Sequence, residues 1–279
     1  KTYAEYLLEH KNAKTPSVTV DVDVLNYDVA KSTGTRIEKS YRGKDVVFTD
    51  DKSSVTWVVN VAESGFYNIA MEYVAVPSRN VNMERSLYIN DVMPFSGADI
   101  LSFYRLWCDG GPIKFDNQGN SIRPSQVEFF EYQTSLFKSD LGYEIEPYKF
   151  YFNAGENTIK LVSTNEPIAI SKLSLVPVKT YDTYAQYLAK QPTKPESYTG
   201  KDISIKVQGE NSSARSDPSL FARYDRASPS PEPKDIKHQI LNYTGGDSWK
   251  APGQWIEWEF EVPEDGFYNI MITIQEGDI

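Results

Sequence analysis

The residues best equipped for chemistry lie in one long polar stretch, Ser96–Pro147, which holds Tyr104, Trp107, Asp116, Asn117, Asn120 and Arg123. A pyranose ring offers apolar C–H faces that stack on flat aromatic rings, and its hydroxyls pair with planar Asn, Asp and Arg groups. On that chemistry Trp107 is the expected stacking platform, with Tyr104 as a second ring. Asp116, Asn117, Asn120 and Arg123 are the expected polar contacts. The same residues also have a purely structural reading. Large rings mostly cover a core, and Asp116–Asn120 (DNQGN) spells an Asx-rich turn.

Other chemistries find less support. His10 and His238 are the only histidines, and no GxSxG elbow, HExxH, Walker loop or CxxC occurs. Cys108 has no basic neighbour in sequence and reads as a small buried hydrophobe. The chain is therefore expected not to be an enzyme. Two carboxylates can hydrolyse glycosides without a histidine, and with 39 Asp+Glu a glycosidase stays open as an alternative.

In composition, 29 Lys+Arg against 39 Asp+Glu leave a net charge of −10, which repels a phosphate backbone, so no nucleic-acid partner is expected. No run approaches the roughly 18 apolar residues of a spanning helix, so no membrane insertion is expected. The opening residues lack a signal-peptide pattern. The 19 Tyr, 13 Phe and 5 Trp suit half-buried pleated surfaces and imply a β-rich protein.

The elements repeat. VTWVVNVAESGFYNI at Val55–Ile69 and IEWEFEVPEDGFYNI at Ile256–Ile270 share eight of fifteen positions, Trp57/Trp258 and Gly65/Gly266 among them. Period-two alternation around a Glu-x-Gly turn predicts a β-hairpin used twice, with Trp57, Val59 and Val61 on one face and the glycine supplying a positive φ. Upstream, Tyr3, Tyr6 and Leu7 and then Tyr184, Tyr187 and Leu188 share i, i+3, i+4 spacing, so each copy opens with a short amphipathic helix. The second copy is longer between helix and hairpin, and the Pro/Gly/Ser/Asp-rich stretch Ser212–Trp255 is where the extra loop falls.

Further alternating segments, Arg85–Asp91, Tyr148–Ser163 and Ile168–Val178, complete an antiparallel sandwich in the first copy. The expected division is a complete β-sandwich module over 1–178 and a related module over 179–279 that is truncated at its C-terminus.

The order of these segments resembles the galactose-binding-like β-sandwich, most of all the carbohydrate-binding modules of families six and thirty-five. Val55–Tyr73, Arg85–Asn90, Ala154–Val162 (AGENTIKLV) and Ile170–Val176 carry the likeness. The fold class it implies is all-β, a duplicated antiparallel jelly-roll sandwich with short opening helices. Longer segments (MERSLYIND, DNQGNSIRPSQVE, EPYKFYFNAGENTIKL, GGDSWKAPGQWIEWEFEVPEDGFYNI) look like the accessory region of extracellular solute-binding lipoproteins of sugar ABC importers in Gram-positive bacteria.

That resemblance implies a non-catalytic, extracellular, cell-surface module with its signal removed. Its partner would be a carbohydrate or a neighbouring domain of a parent sugar-uptake protein. By position in the strand order it adds Asn165 as an amide contact to a sugar hydroxyl. It also implies no cofactor beyond a structural calcium, for which Asp21, Asp23 and Glu210 are the matching acids. A scaffold module that binds no sugar is the alternative.

Overall fold

The computed structural model describes residues 1–192 and 203–274. They form two compact units, one of residues 1–106 and 128–179, the other of residues 107–127 and 180–274 among those described.

Helix α1 (Tyr3–Glu9) opens the first unit behind a complete capping box. Thr2 Oγ1 accepts from Glu5 N at 3.2 Å, and the Glu5 carboxylate accepts from Thr2 N at 2.7 Å. The helix docks through its tyrosines, whose hydroxyls accept from Lys149 N (Tyr3, 2.9 Å) and Tyr151 N (Tyr6, 2.7 Å).

Strands β1 (Val20–Val22), β2 (Thr33–Tyr41), β3 (Lys44–Val61), β4 (Gly65–Ala75), β5 (Met83–Ile89) and β6 (Leu101–Phe103) follow. The chain then enters the second unit through β7 (Leu106–Asp109), β8 (Lys114–Phe115), β9 (Ser121–Ile122) and β10 (Gln126–Phe129). It returns with β11 (Gln133–Leu136), β12 (Phe150–Phe152), β13 (Gly155–Asn165) and β14 (Ile168–Pro177). Helix α2 (Tyr184–Lys190) and strands β15 (Ala214–Arg215), β16 (Ala222–Arg223), β17 (Tyr243–Thr244) and β18 (Ile256–Glu257) belong to the second unit.

The first unit is an antiparallel β-sandwich with strand order β11-β4-β14-β3-β13-β5-β6, to which β1 adds on β14, β12 on β4 and β2 on β3. Strand β3 is long enough to serve two neighbours: Val47–Thr49 pair with Ile168–Ile170 of β14, and Ser54–Val61 pair with β13. Alternation sorts its faces as the pattern predicts. Trp57, Val59 and Val61 are buried, whereas Val58 is 49% exposed. The core also takes Tyr67, Ile69, Met71, Leu87, Phe103, Phe150, Ile159 and Leu173. Trp57 Nε1 donates to Val24 O at 2.9 Å, so the largest core ring leaves no buried donor unpaired.

Gly65 corrects one expectation. It is absent from the positive-φ positions, and what requires a glycine is close approach: a Cβ there would lie 2.5 Å from Pro16 Cδ and 2.6 Å from Lys14 O. Phe66 N donates to that same Lys14 carbonyl at 2.8 Å, which explains why the backbones come so near.

The second copy of the hairpin is the larger correction. Only Ile256–Glu257 pair, with Ala214–Arg215, and residues 258–274 form no strand. The local signals persist: Tyr268 Oη donates to Glu264 O at 2.7 Å as Tyr67 Oη does to Glu63 O at 2.8 Å, and Trp258 Nε1 donates to Gly209 O at 3.1 Å. What the second copy lacks, among the described residues, is the pair of neighbours that β13 and β14 provide in the first. A strand without a ladder leaves its amides to water and its alternate apolar side chains uncovered. Ile270, Met271 and Ile272 are accordingly 85%, 92% and 75% exposed.

The chain passes from the first unit to the second at 179/180, one residue from the expected 178/179, and one internal segment departs from the expected division. Residues 107–127, read as an excursion of the first module, are built into the second unit. Trp107 of β7 pairs with Arg215 of β15, and the β8–β9 hairpin bonds to the segment after His238 through Ser121 N to Gln239 O at 2.8 Å.

Candidate functional site

The structure gives the residues of the polar stretch separate places. Trp107 is 7% exposed in the second unit, and its neighbour Arg215 is wholly buried. Arg215 Nη1 lies 3.2 Å from Asp109 Oδ1 and donates to Gln126 Oε1 at 2.8 Å, and Gln126 Nε2 donates to Asp109 Oδ1 at 2.7 Å. A stacking platform needs an open ring face, and this indole is core instead. Burial pushes the adjacent Cys108 thiol up, away from nucleophilic thiolate character.

The turn Asp116–Asn120 is closed on itself. Asp116 Oδ1 accepts from Gln118 N and Asn120 N, each at 2.8 Å, and Oδ2 accepts from Asn120 Nδ2 at 3.0 Å. The Asn120 side chain and these backbone N–H groups hold the Asp116 carboxyl below the usual carboxylate range. Asn120 Oδ1 accepts from Gln239 N at 2.9 Å. Arg123 donates through Nε to Ala222 O at 3.0 Å and lies 4.0 Å from the Phe221 ring centroid. Asn117 stands exposed at the turn's tip.

Tyr104 and Asn165 belong to the first unit. The Tyr104 carbonyl accepts from Tyr73 Oη at 3.0 Å and from Gln133 Nε2 at 2.9 Å. Asn165 Oδ1 accepts from Arg79 Nη2 at 3.1 Å, and its carbonyl accepts from Arg85 Nη1 at 3.0 Å. Beside it Glu166, at φ 61° and fully buried, anchors a charged network. Its carboxylate accepts from Arg79 Nε at 2.7 Å and Arg105 Nη2 at 2.6 Å, and Arg105 Nη1 continues to Glu128 Oε1 at 2.6 Å. Burial alone would raise the Glu166 pKa. The two guanidinium groups outweigh it and hold the carboxyl below its ordinary value. The turn Asn165-Glu166-Pro167 is thus built around an internal ion cluster.

The acids matched to calcium do not form a cage. Asp21 Oδ1 accepts from Ser174 Oγ at 2.6 Å and lies 3.4 Å from Lys172 Nζ, while Asp23 Oδ1 accepts from Leu25 N at 3.2 Å. Glu210 lies in the second unit, 4% exposed, with Oε2 lacking a hydrogen-bond partner among the described residues. Calcium takes six to eight oxygens, and among the described residues no group of three or more His, Cys, Asp or Glu could hold a metal. The three residues do not fit the ion.

His10 stacks on Tyr151, ring centroids 4.1 Å apart at 12°, and is a packing residue. His238 bonds Asp235 Oδ2 through Nδ1 at 2.9 Å. That bond and the N–H groups of Lys237 and His238 lower the Asp235 pKa to about 2.

Sequence reasoning passed over Trp249. It is 47% exposed and sits after two left-handed glycines, Gly245 (φ 84°) and Gly246 (φ 58°). The available signal is the GGDSW string, whose turn residues spell a loop and do not by themselves say whether its ring is buried or open.

No family model matches the chain, and no curated protein does. Among solved structures the chain is similar to a Podospora anserina GH26-CBM35 β-(1,4)-mannanase, with 14% identity, 60% of this chain and 29% of that one covered, and a TM-score of 0.36. It is similar to a family 35 carbohydrate-binding module from Clostridium thermocellum at 14% identity, covering 56% of this chain and 96% of that one, with a TM-score of 0.30. The C-terminal CBM6 of LamC, a marine laminarinase from Zobellia galactanivorans, aligns at 14% identity over 57% of this chain and 99% of that one, with a TM-score of 0.30. The chain spans less than a third of the mannanase and nearly all of the two isolated modules.

Proposed function

We propose that this chain is a non-catalytic, extracellular carbohydrate-binding accessory module of a larger sugar-uptake protein of the solute-binding type. The observation that carries the reading is the first unit itself. The segments that resemble carbohydrate-binding modules, Val55–Tyr73, Arg85–Asn90, Ala154–Val162 and Ile170–Val176, lie on β3, β4, β5, β13 and β14, neighbours in one antiparallel sheet. Sugar recognition in such a module is the work of loop side chains on a rigid scaffold.

The test is a screen of the purified chain on a glycan array, with calcium and with chelator, followed by calorimetry on the hits. Saturable binding supports the module. Equal binding in chelator is expected, because Asp21, Asp23 and Glu210 do not assemble a calcium site.

A scaffold that binds no sugar is the second reading. It is favoured by one observation: Asp116, Asn120 and Arg123 spend their polar groups on hydrogen bonds inside the second unit. Silence on the array in both buffers selects it.

A further inference from the structure

We propose that the Tyr243–Lys250 loop of the second unit is a pyranose-binding site with the Trp249 indole as its stacking platform. This rests on the carbohydrate-binding reading above and assigns it a place. Of the five tryptophans, Trp57 and Trp107 are buried, Trp255 and Trp258 are half-buried, and Trp249 alone is exposed, at 47%.

The exposure is built in. A Cβ on Gly245 would lie 3.0 Å from Trp249 Cε3 and 3.2 Å from its Cβ, so the ring is seated against bare backbone. A Cβ on Gly246 would lie 2.9 Å from Arg223 Cδ. Both glycines hold left-handed φ, which other residues adopt only at a cost.

The loop is braced on each side of the ring. Arg223 donates through Nε to Gly245 O at 3.1 Å and through Nη2 to Ser248 Oγ at 2.9 Å, and its guanidinium lies 4.5 Å from the Phe221 ring centroid. Trp249 N donates to Gly246 O at 2.9 Å. Gln254 Oε1 then accepts from Lys250 N at 3.0 Å and Ala251 N at 2.9 Å, closing the chain downstream.

The bare glycine seat and the hydrogen bonds fix the indole while 47% of the residue stays in water, which leaves a rigid aromatic face open to a ligand. Pre-organisation of that kind lowers the entropy cost of binding. The ligand class follows from the charges on the loop. The exposed Asp247 carboxylate accepts and the exposed Lys250 ammonium donates, a mixed set that suits sugar hydroxyls. Asp247 and Lys250 offset one another, so the loop carries no excess negative or positive charge of its own to select phosphate or uronate. A neutral pyranoside, its C–H face on Trp249, is the fit.

The full chain is printed against an array of neutral and uronate-bearing glycans, and affinities for the neutral hits are measured by calorimetry for wild type, Trp249→Ala and Trp249→Tyr. The expected result is binding to neutral pyranosides that falls at least about tenfold in Trp249→Ala, as truncating an aromatic anchor does, with part retained in Trp249→Tyr. Thermal midpoints should stay near wild type, because the ring is half exposed. A second readout needs no variant: hits should shift or quench tryptophan emission in wild type.

If wild type binds neutral glycans and Trp249→Ala binds as well, the site is overturned and the carbohydrate reading stands. Exclusive binding of uronate-bearing glycans overturns the ligand class. If wild type binds nothing, both fall together.

Discussion

Glu166 shows what a single side chain is asked to do. It has no exposed side-chain surface, and two arginines close on it, Arg105 from within the core and Arg79 from the surface. Removing one partner of a buried pair leaves the others' charge uncompensated, so Glu166→Gln should lower unfolding stability by roughly 3 kcal/mol. Chemical denaturation at pH 7 checks it. The pH sign follows from the lowered pKa. A carboxyl whose folded pKa lies below its unfolded value of about 4.3 stabilises the fold above that pH, and the contribution is lost as pH falls through the folded pKa. The gap between wild type and Glu166→Gln should therefore be full at neutral pH and shrink below pH about 4; a gap constant down to pH 3 would rule the linkage out. Asp235, bonded by His238, should titrate by carbon-detected NMR with a midpoint of about 2, and His238→Ala should move that midpoint upward. Neither role was legible in the sequence, because Glu166 meets Arg79 and Arg105 only through the fold, and an Asp three residues before a His carries no signal of its own.

At the scale of elements the two hairpin copies make a natural comparison. They share Trp, Glu, Gly, Phe and Tyr in register, yet a Cβ on Gly65 would lie 2.5 Å from Pro16 Cδ and 2.6 Å from Lys14 O, while a Cβ on Gly266 would find only Tyr268 Cε2, at 3.9 Å. Gly65→Ala should cost roughly 2 kcal/mol by overpacking against backbone, and Gly266→Ala should stay within about 0.5 kcal/mol of neutral. Equal effects in a denaturation series would contradict the assignment of close approach to the first copy alone. The paired helices teach the same lesson. Both α1 and α2 are started by a capping box, Thr2/Glu5 and Thr183/Gln186, so local sequence suffices to form them. Docking differs: Tyr6 is buried in α1, whereas Tyr184 and Tyr187 of α2 are 70% and 47% exposed.

For the whole molecule, the decisive fact is that residues 107–127 are built into the second unit. Trp107→Ala should then destabilise that unit by about 3–5 kcal/mol, the cost of emptying a buried aromatic site. Hydrogen exchange should show amide protection lost at Arg215, which pairs with Trp107 of β7, and kept at Ile159–Leu161 in the first unit's sheet. Protection lost equally at both places would mean that Trp107 supports the chain at large. A variant that keeps its protection but loses glycan binding would return Trp107 to the role of platform.

The sequence by itself determined what short-range physics decides. Period-two alternation placed Trp57, Val59 and Val61 inward, capping residues started both helices, and aromatic content with turn spacing made the first copy an antiparallel sandwich. Tertiary structure decided everything that depends on which segments meet. Residues 258–274 carry the strand pattern of β3 and β4 and form no strand, because a ladder needs a neighbour that the pattern does not specify. Trp107 and Trp249 are the same residue type in similar polar surroundings, and only the folded chain buries the first against Arg215 and leaves the second open above Gly245. Burial is a property of the partners, and those partners lie far away along the chain.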